Sequence, residues 1–271
     1  MTETIRPDAG AGAPATPLAE VDMRTIDPPY DFPGYRSSAL RAPKRPLLVL
    51  PRLADRAGPV FGDGIVGPLD NDLTRQHDDA PIGERIIVAG RLLDTGGRPI
   101  AGQLIELWQA NAAGRYAHAV DDHDAPLDPN FSGYGRTLTD SQGRYRFVTI
   151  RPGEYPWGNH LNAWRPAHLH FSVFGRRFEE RLVTQMFFPG DPLLAYDPIF
   201  NSVSDERARQ TMMATLELRL TEPAWAIGYR FDLVVGREAL SGGPLAGSPL
   251  AGGRLAGLPP SSSPHGNGDK S

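Results

Sequence analysis

The chain has 271 residues, with 28 Lys and Arg against 32 Asp and Glu and a formal net charge of −4, so it lacks the basic excess expected of a nucleic-acid binder. It contains no cysteine, which excludes disulfides, thiolate zinc sites, iron–sulfur clusters and a cysteine nucleophile together. Apolar runs such as 86–89 and 46–51 are far shorter than the roughly 20 residues of a membrane span, and with no charged-then-apolar leader a cytoplasmic protein is expected.

Residues 1–20 are rich in Pro, Ala, Gly and Thr, and 237–271 carry an imperfect Pro-Leu-Ala-Gly repeat. Neither segment can bury enough surface to offset chain entropy, so both are expected to be disordered tails. A single domain over 21–236, opening with an N-terminal arm over 21–80, lies between them. Strand character begins at 84–93, which is rich in β-branched residues and ends at the turn signal Asp94-Thr95-Gly96-Gly97. A second strand is expected at 103–110. The segments 136–139 and 144–150 flank Asp140-Ser141-Gln142-Gly143, which reads as a hairpin loop. Strand patterning returns at 167–174, 181–187 and 229–235. Short strands at this spacing predict an all-β fold, a β-sandwich with long irregular loops. The stretch 204–216 departs from that pattern: a capping Ser, early acids and strong helix formers predict one short surface helix. Two irregular stretches, 111–135 and 152–166, are long for a compact domain and point to function.

Candidate chemistry starts at Ala167-His168-Leu169-His170-Phe171. Histidines at i and i+2 project from one face of a strand, where both can reach one metal; packing or a surface pair explains the spacing equally well. Two tyrosines sit in the irregular stretches, Tyr155 in Gly153-Glu154-Tyr155-Pro156-Trp157 and Tyr116 in Gly114-Arg115-Tyr116. A competing cluster, His118, Asp121, Asp122 and His123, has the residue types of a two-histidine, one-carboxylate Fe(II) site, but no strand or helix period fixes its geometry. His77 and His160 have no better claim. The glycines of Phe61-Gly62-Asp63-Gly64 are not followed by the Gly-Lys-Ser/Thr of a phosphate loop.

The segments ELWQANAAGRY, PLDPNFSGYGRTLTDSQGRYRF, RPGEYPWGNHLNAWRPAHLHFSVFG and TQMFFPGDPL resemble the β subunits of protocatechuate 3,4-dioxygenases, within the intradiol ring-cleavage dioxygenase family. The resemblance implies a non-haem Fe(III) enzyme that opens protocatechuate with O₂ to 3-carboxy-cis,cis-muconate in the β-ketoadipate pathway of aromatic catabolism. It also implies a homologous α subunit as partner in a hetero-oligomer. The family's ferric ligands fall on Tyr116, Tyr155, His168 and His170, and Tyr155 is also the base that substrate displaces. Arg165 matches the arginine that stabilises negative charge on the ring, and Gln185 a residue near the same pocket that would hydrogen-bond Arg165 or an oxygen intermediate. Tyr35, Trp157 and Ile199 match substrate-pocket positions. The donor types suit the ion. Fe(III) is hard and favours anionic oxygen, and a bound cation strips the phenolic proton that a free tyrosine, titrating near ~10, would keep.

Two rival expectations remain. One is an intradiol enzyme for another catechol, such as catechol itself or hydroxyquinol; those enzymes usually carry a long helical N-terminal dimerisation region that is missing here. The other is a transthyretin-like β-sandwich binding module without chemistry. That protein would be colourless, whereas tyrosinate bound to Fe(III) is red-brown.

Overall fold

The computed structural model describes residues 28–29, 31–42, 63–158, 164–174 and 181–235. Both expected tails lie outside them, as do His160, Phe61, Gly62 and much of the N-terminal arm.

Eleven strands form among the described residues: β1 (Arg85–Asp94), β2 (Leu104–Trp108), β3 (Tyr134–Leu138), β4 (Arg144–Ile150), β5 (Tyr155–Pro156), β6 (Trp164–Arg165), β7 (His168–Phe174), β8 (Arg181–Phe187), β9 (Thr215–Leu216), β10 (Ile227–Arg230) and β11 (Leu233–Val235). In the first sheet β1 is the hub, antiparallel to β4 and parallel to β10 and β11, with β9 added beside β10. The second sheet runs β3-β2-β7-β8 and is antiparallel throughout.

Strand alternation explains why the sheets stack. Ile105 and Leu107 from β2 and Leu169, Phe171 and Val173 from β7 share one buried cluster with Ile86, Val88, Tyr145 and Phe147 from the first sheet. Phe171 sets its ring against both Tyr145 and Phe147, at 6.0 and 6.2 Å between centroids. Each large side chain so buried contributes about 1.5–3 kcal/mol. The expected all-β sandwich is the fold observed. Because β7 turns its odd-numbered residues inward, His168 and His170 leave from the outer face of the second sheet. There His170 pairs across to Trp108 on β2 and to Gln185 on β8.

Several local expectations are corrected. Residues 140–143 do make a tight turn, with Asp140 N–H donating to the Arg144 carbonyl at 3.0 Å. The strands it joins then part, however: β3 pairs with β2 and β4 with β1, so the turn links two sheets and is not a hairpin within one. The strand expected at 229–235 is broken into β10 and β11. At the break, the Phe231 carbonyl accepts from the buried Tyr145 hydroxyl at 2.5 Å, and Asp232 Oδ1 accepts from Arg91 N–H at 2.9 Å. The helix expected over 204–216 is six residues long, Glu206–Thr211, and Asp205 caps it through the Ala208 N–H. It stops because Met212 and Ala214 exchange backbone hydrogen bonds with Phe187 of β8, both 2.8 Å, a tertiary pairing that overrides local helix preference. A second helix, Ser38–Arg41, has only four residues. Among the described residues no helix is long and apolar enough to cross a membrane.

Candidate metal centre

The four candidate donors meet at one point. A carbonyl only accepts, so the 2.8 Å contact between His168 Nδ1 and the Pro166 carbonyl places the proton on Nδ1 and the lone pair on Nε2. His170 lies flat on Trp108, with ring centroids 4.8 Å apart and 7° between planes. The two Nε2 atoms stand 3.2 Å apart. The Tyr116 hydroxyl lies 3.1 Å from His170 Nε2, and the Tyr155 hydroxyl 3.5 Å from His168 Nε2. Donors bonded at about 2.0–2.2 Å to one first-row metal, at right to tetrahedral angles, sit about 2.8–3.6 Å from each other. Two phenols and two imidazoles at these separations fit a single hard cation.

The electrostatics agree with a donor role. Burial, reinforced by the charge of Arg165, lowers the His170 pKa from 6.5 to about 3. Burial, then Arg165 and His170, hold His168 well below its ordinary value. Both imidazoles are therefore neutral, the form in which a ring nitrogen can bind a metal. Burial and the adjacent Tyr155 push Tyr116 well above the usual phenol range, so it needs a cation beside it to ionise. A pH dependence follows. Unfolded His170 takes up its proton near 6.5 and folded His170 only near 3, so metal-free protein loses stability as pH falls below the unfolded value. By pH 5 this one residue accounts for about 2 kcal/mol. Urea unfolding of metal-free protein at pH 7 and pH 5 measures the difference; equal stabilities contradict it.

Arg165 borders the cluster. Its Nη1 is 3.2 Å from His168 Nε2 and 3.5 Å from the Tyr155 hydroxyl, while Nη2 donates to Gln185 Oε1 at 2.7 Å. Burial opposes its charge, but Asp197 and Tyr155 outweigh that and raise its pKa. Trp157 lies under the guanidinium at 5.3 Å, and Tyr35 packs on Trp157 at 4.9 Å between ring centroids. Ile199 is half-buried and connects to this group through its backbone N–H, which donates to Asp197 Oδ1 at 2.8 Å.

The tyrosine loops are held together backbone to backbone. Tyr155 lies on β5, pairing with Arg165 on β6, a two-residue ribbon inside a stretch that reads as irregular in sequence. Asn111 accepts from the N–H groups of both Gly114 and Gly153, each at 3.0 Å. Gly114 has φ +78°, and a Cβ there would stand 2.1 Å from the Glu154 carbonyl oxygen. Gly114→Ala must therefore push Tyr155's neighbour away from the Tyr116 loop. It is expected to cost about 2–4 kcal/mol of stability and to weaken metal binding at the cluster. Urea unfolding and metal content report both, and wild-type values contradict the expectation.

The competing cluster does other work. Asp121 accepts from the Tyr116 N–H at 2.7 Å and the His123 N–H at 2.9 Å. His118 accepts from Val120 N–H, and the His123 ring stands perpendicular to that of Trp164. His77 is exposed. Among the described residues no three His, Cys, Asp or Glu side chains form a metal-holding group. Sequence reasoning missed the carboxylates beneath the site. Asp191 clamps the Ala167 N–H at 3.0 Å, one residue before His168, and Asp197 holds Arg165 Nε at 2.8 Å.

A family model described as "Dioxygenase" matches residues 56–237, and another described as "Protocatechuate 3,4-dioxygenase beta subunit N terminal" matches 24–52. The chain is 59% identical to a protocatechuate 3,4-dioxygenase beta chain of Burkholderia cepacia over 216 residues, 78% of this chain and 92% of that one. It is 28% identical to a protocatechuate 3,4-dioxygenase alpha chain of Pseudomonas putida over 204 residues, 71% of this chain and 96% of that one. A hydroxyquinol 1,2-dioxygenase of a Rhizobium strain is 40% identical over 129 residues, 44% of this chain and 42% of that one. With one family model spanning all the strands of the sandwich and another matching 24–52, the chain belongs to the intradiol dioxygenases, on their protocatechuate 3,4-dioxygenase β-chain branch.

Proposed function

We propose that this chain is the iron-bearing β subunit of an intradiol dioxygenase that opens protocatechuate to 3-carboxy-cis,cis-muconate, working with a homologous α chain. The observation that carries the reading is the convergence of Tyr116, Tyr155, His168 and His170, with 3.1–3.5 Å between neighbouring donors. The 59% identity to a β chain and the match over 24–52 support the subunit role, and the similarity to an α chain supports a partner of the same fold family. The proposal carries with it a domain over 21–236 between two tails, and a cytoplasmic location.

Non-haem Fe(III) bound by these four side chains would supply Lewis-acid and template chemistry, drawing charge from a chelated catecholate so that its ring reacts with O₂. The protein's own groups have definable tasks. The Tyr155 oxygen, ionised beside the cation, would take up a catechol proton. Arg165 Nη1, aimed between Tyr155 and His168, donates toward negative charge that develops on the ring. Gln185 holds the guanidinium in that direction. Tyr35, Trp157 and Ile199 form the wall against which the aromatic acid lies.

Protein co-expressed with its α chain is expected to be red-brown, to contain iron, and to consume O₂ with protocatechuate. Its kcat/KM for protocatechuate should exceed those for catechol and hydroxyquinol by at least about tenfold. A colourless protein without turnover would instead mark a binding module, and a preference for hydroxyquinol or catechol would mark a different intradiol enzyme.

A further inference from the structure

Arg165 is gripped from two sides. Its Nε donates to Asp197 Oδ2 at 2.8 Å and its Nη2 to Gln185 Oε1 at 2.7 Å, which fixes both the plane of the fork and its rotation. Nη1 is left facing Tyr155 and His168. Asp197 is itself fully buried, and its other oxygen, Oδ1, accepts from the N–H groups of Ile199 and Phe200, both at 2.8 Å. One carboxylate thus ties the arginine at the metal cluster to the loop that carries a pocket-wall residue.

A buried ion pair is a poor device for stability, because desolvation offsets most of the attraction and apolar replacements often do as well. Both side chains here are almost wholly withdrawn from solvent. What the pair supplies is direction: a planar fork anchored at two nitrogens presents the third along one line, which a flexible ammonium cannot do. We infer that Asp197 is a positioning residue for the reaction. Its carboxylate aims Arg165 Nη1 at the charge developing on the ring and keeps Ile199 in register with it.

This inference rests on the proposed dioxygenase function, so wild-type iron content and turnover are measured first; their absence defeats that reading before Asp197 is in question. The test is a double-mutant cycle in the co-assembled enzyme. In Asp197→Asn the amide oxygen still accepts from Ile199 and Phe200, but an N–H₂ group faces Arg165 Nε and the grip is lost. The expected result is a kcat about 100-fold lower with iron content and colour retained. Placed in an Arg165→Gln background, the same substitution should change kcat by less than about threefold, because the two residues act as a unit. A crystal structure of Asp197→Asn should show Nη1 withdrawn from Tyr155 and His168 while the two backbone hydrogen bonds persist. Additive effects in the cycle, or an unmoved guanidinium, overturn the inference. Should Asp197→Asn not assemble, Arg165→Lys decides: it keeps the charge but not the two-point grip, and it should lose nearly as much rate as Arg165→Gln. A wild-type rate for Arg165→Lys overturns the inference equally.

Discussion

Replacing His168 with alanine is expected to yield protein without iron, without colour and without measurable turnover. The imidazole is buried on β7, its tautomer fixed by the Pro166 carbonyl and its Nε2 within 3.5 Å of one phenol and 3.2 Å of the second imidazole. Removing even an outer partner of a metal ligand costs about 10–100-fold in affinity, so loss of a direct donor should cost at least about 10³-fold. The strand itself should survive, because its core contacts come from Leu169, Phe171 and Val173 on the opposite face. Metal analysis, visible absorption and O₂ uptake of the co-assembled variant measure the outcome. A red-brown, iron-replete His168→Ala protein would remove His168 from the centre.

Tyr155→Phe should behave differently. In the proposed reaction Tyr155 is the donor that substrate displaces, so the other three must hold the ion through turnover, and iron and part of the visible absorption are expected to stay. What disappears is the oxygen proposed to accept a catechol proton and the acceptor that faces Arg165 Nη1 at 3.5 Å. Proton acceptors of this kind contribute about 10²–10⁴-fold, and a fall of 10²–10³ in kcat/KM is expected, with slower substrate binding in stopped flow. An unchanged binding rate would refute the role of Tyr155 as displaced base, whatever its role toward the metal.

Much of the sandwich was legible in sequence, for identifiable reasons. The strands β1, β4, β7 and β8 carry β-branched or alternating runs long enough to show a period of two. By contrast β5 and β6 have two residues each, too few for any period. The break between β10 and β11 depends on Tyr145, eighty-six residues away, donating to Phe231. Local signals likewise overestimated the helix, because the backbone of Met212 and Ala214 is taken by Phe187.

The site divides along the same line. Strand geometry places His168 and His170 on one face from spacing alone. Tyr116 and Tyr155 lie in stretches without a usable period, and only the resemblance of long motifs singled them out; their meeting depends on loops laced through Asn111 and Gly114. Asp197 precedes a proline and looks like an ordinary turn residue. Its bond to Arg165 spans thirty-two positions, which no local pattern records. Asp121 has the residue type of a metal ligand, yet its carboxylate is spent on the Tyr116 and His123 backbone.

The most direct measurement is anomalous diffraction at the iron absorption edge from crystals of the co-assembled protein. One peak per β chain is expected, centred among the Tyr116 and Tyr155 oxygens and the Nε2 atoms of His168 and His170. A peak bound elsewhere on the chain, or none in protein that turns over protocatechuate, would contradict the assignment of these two phenols and two imidazoles to a common ion.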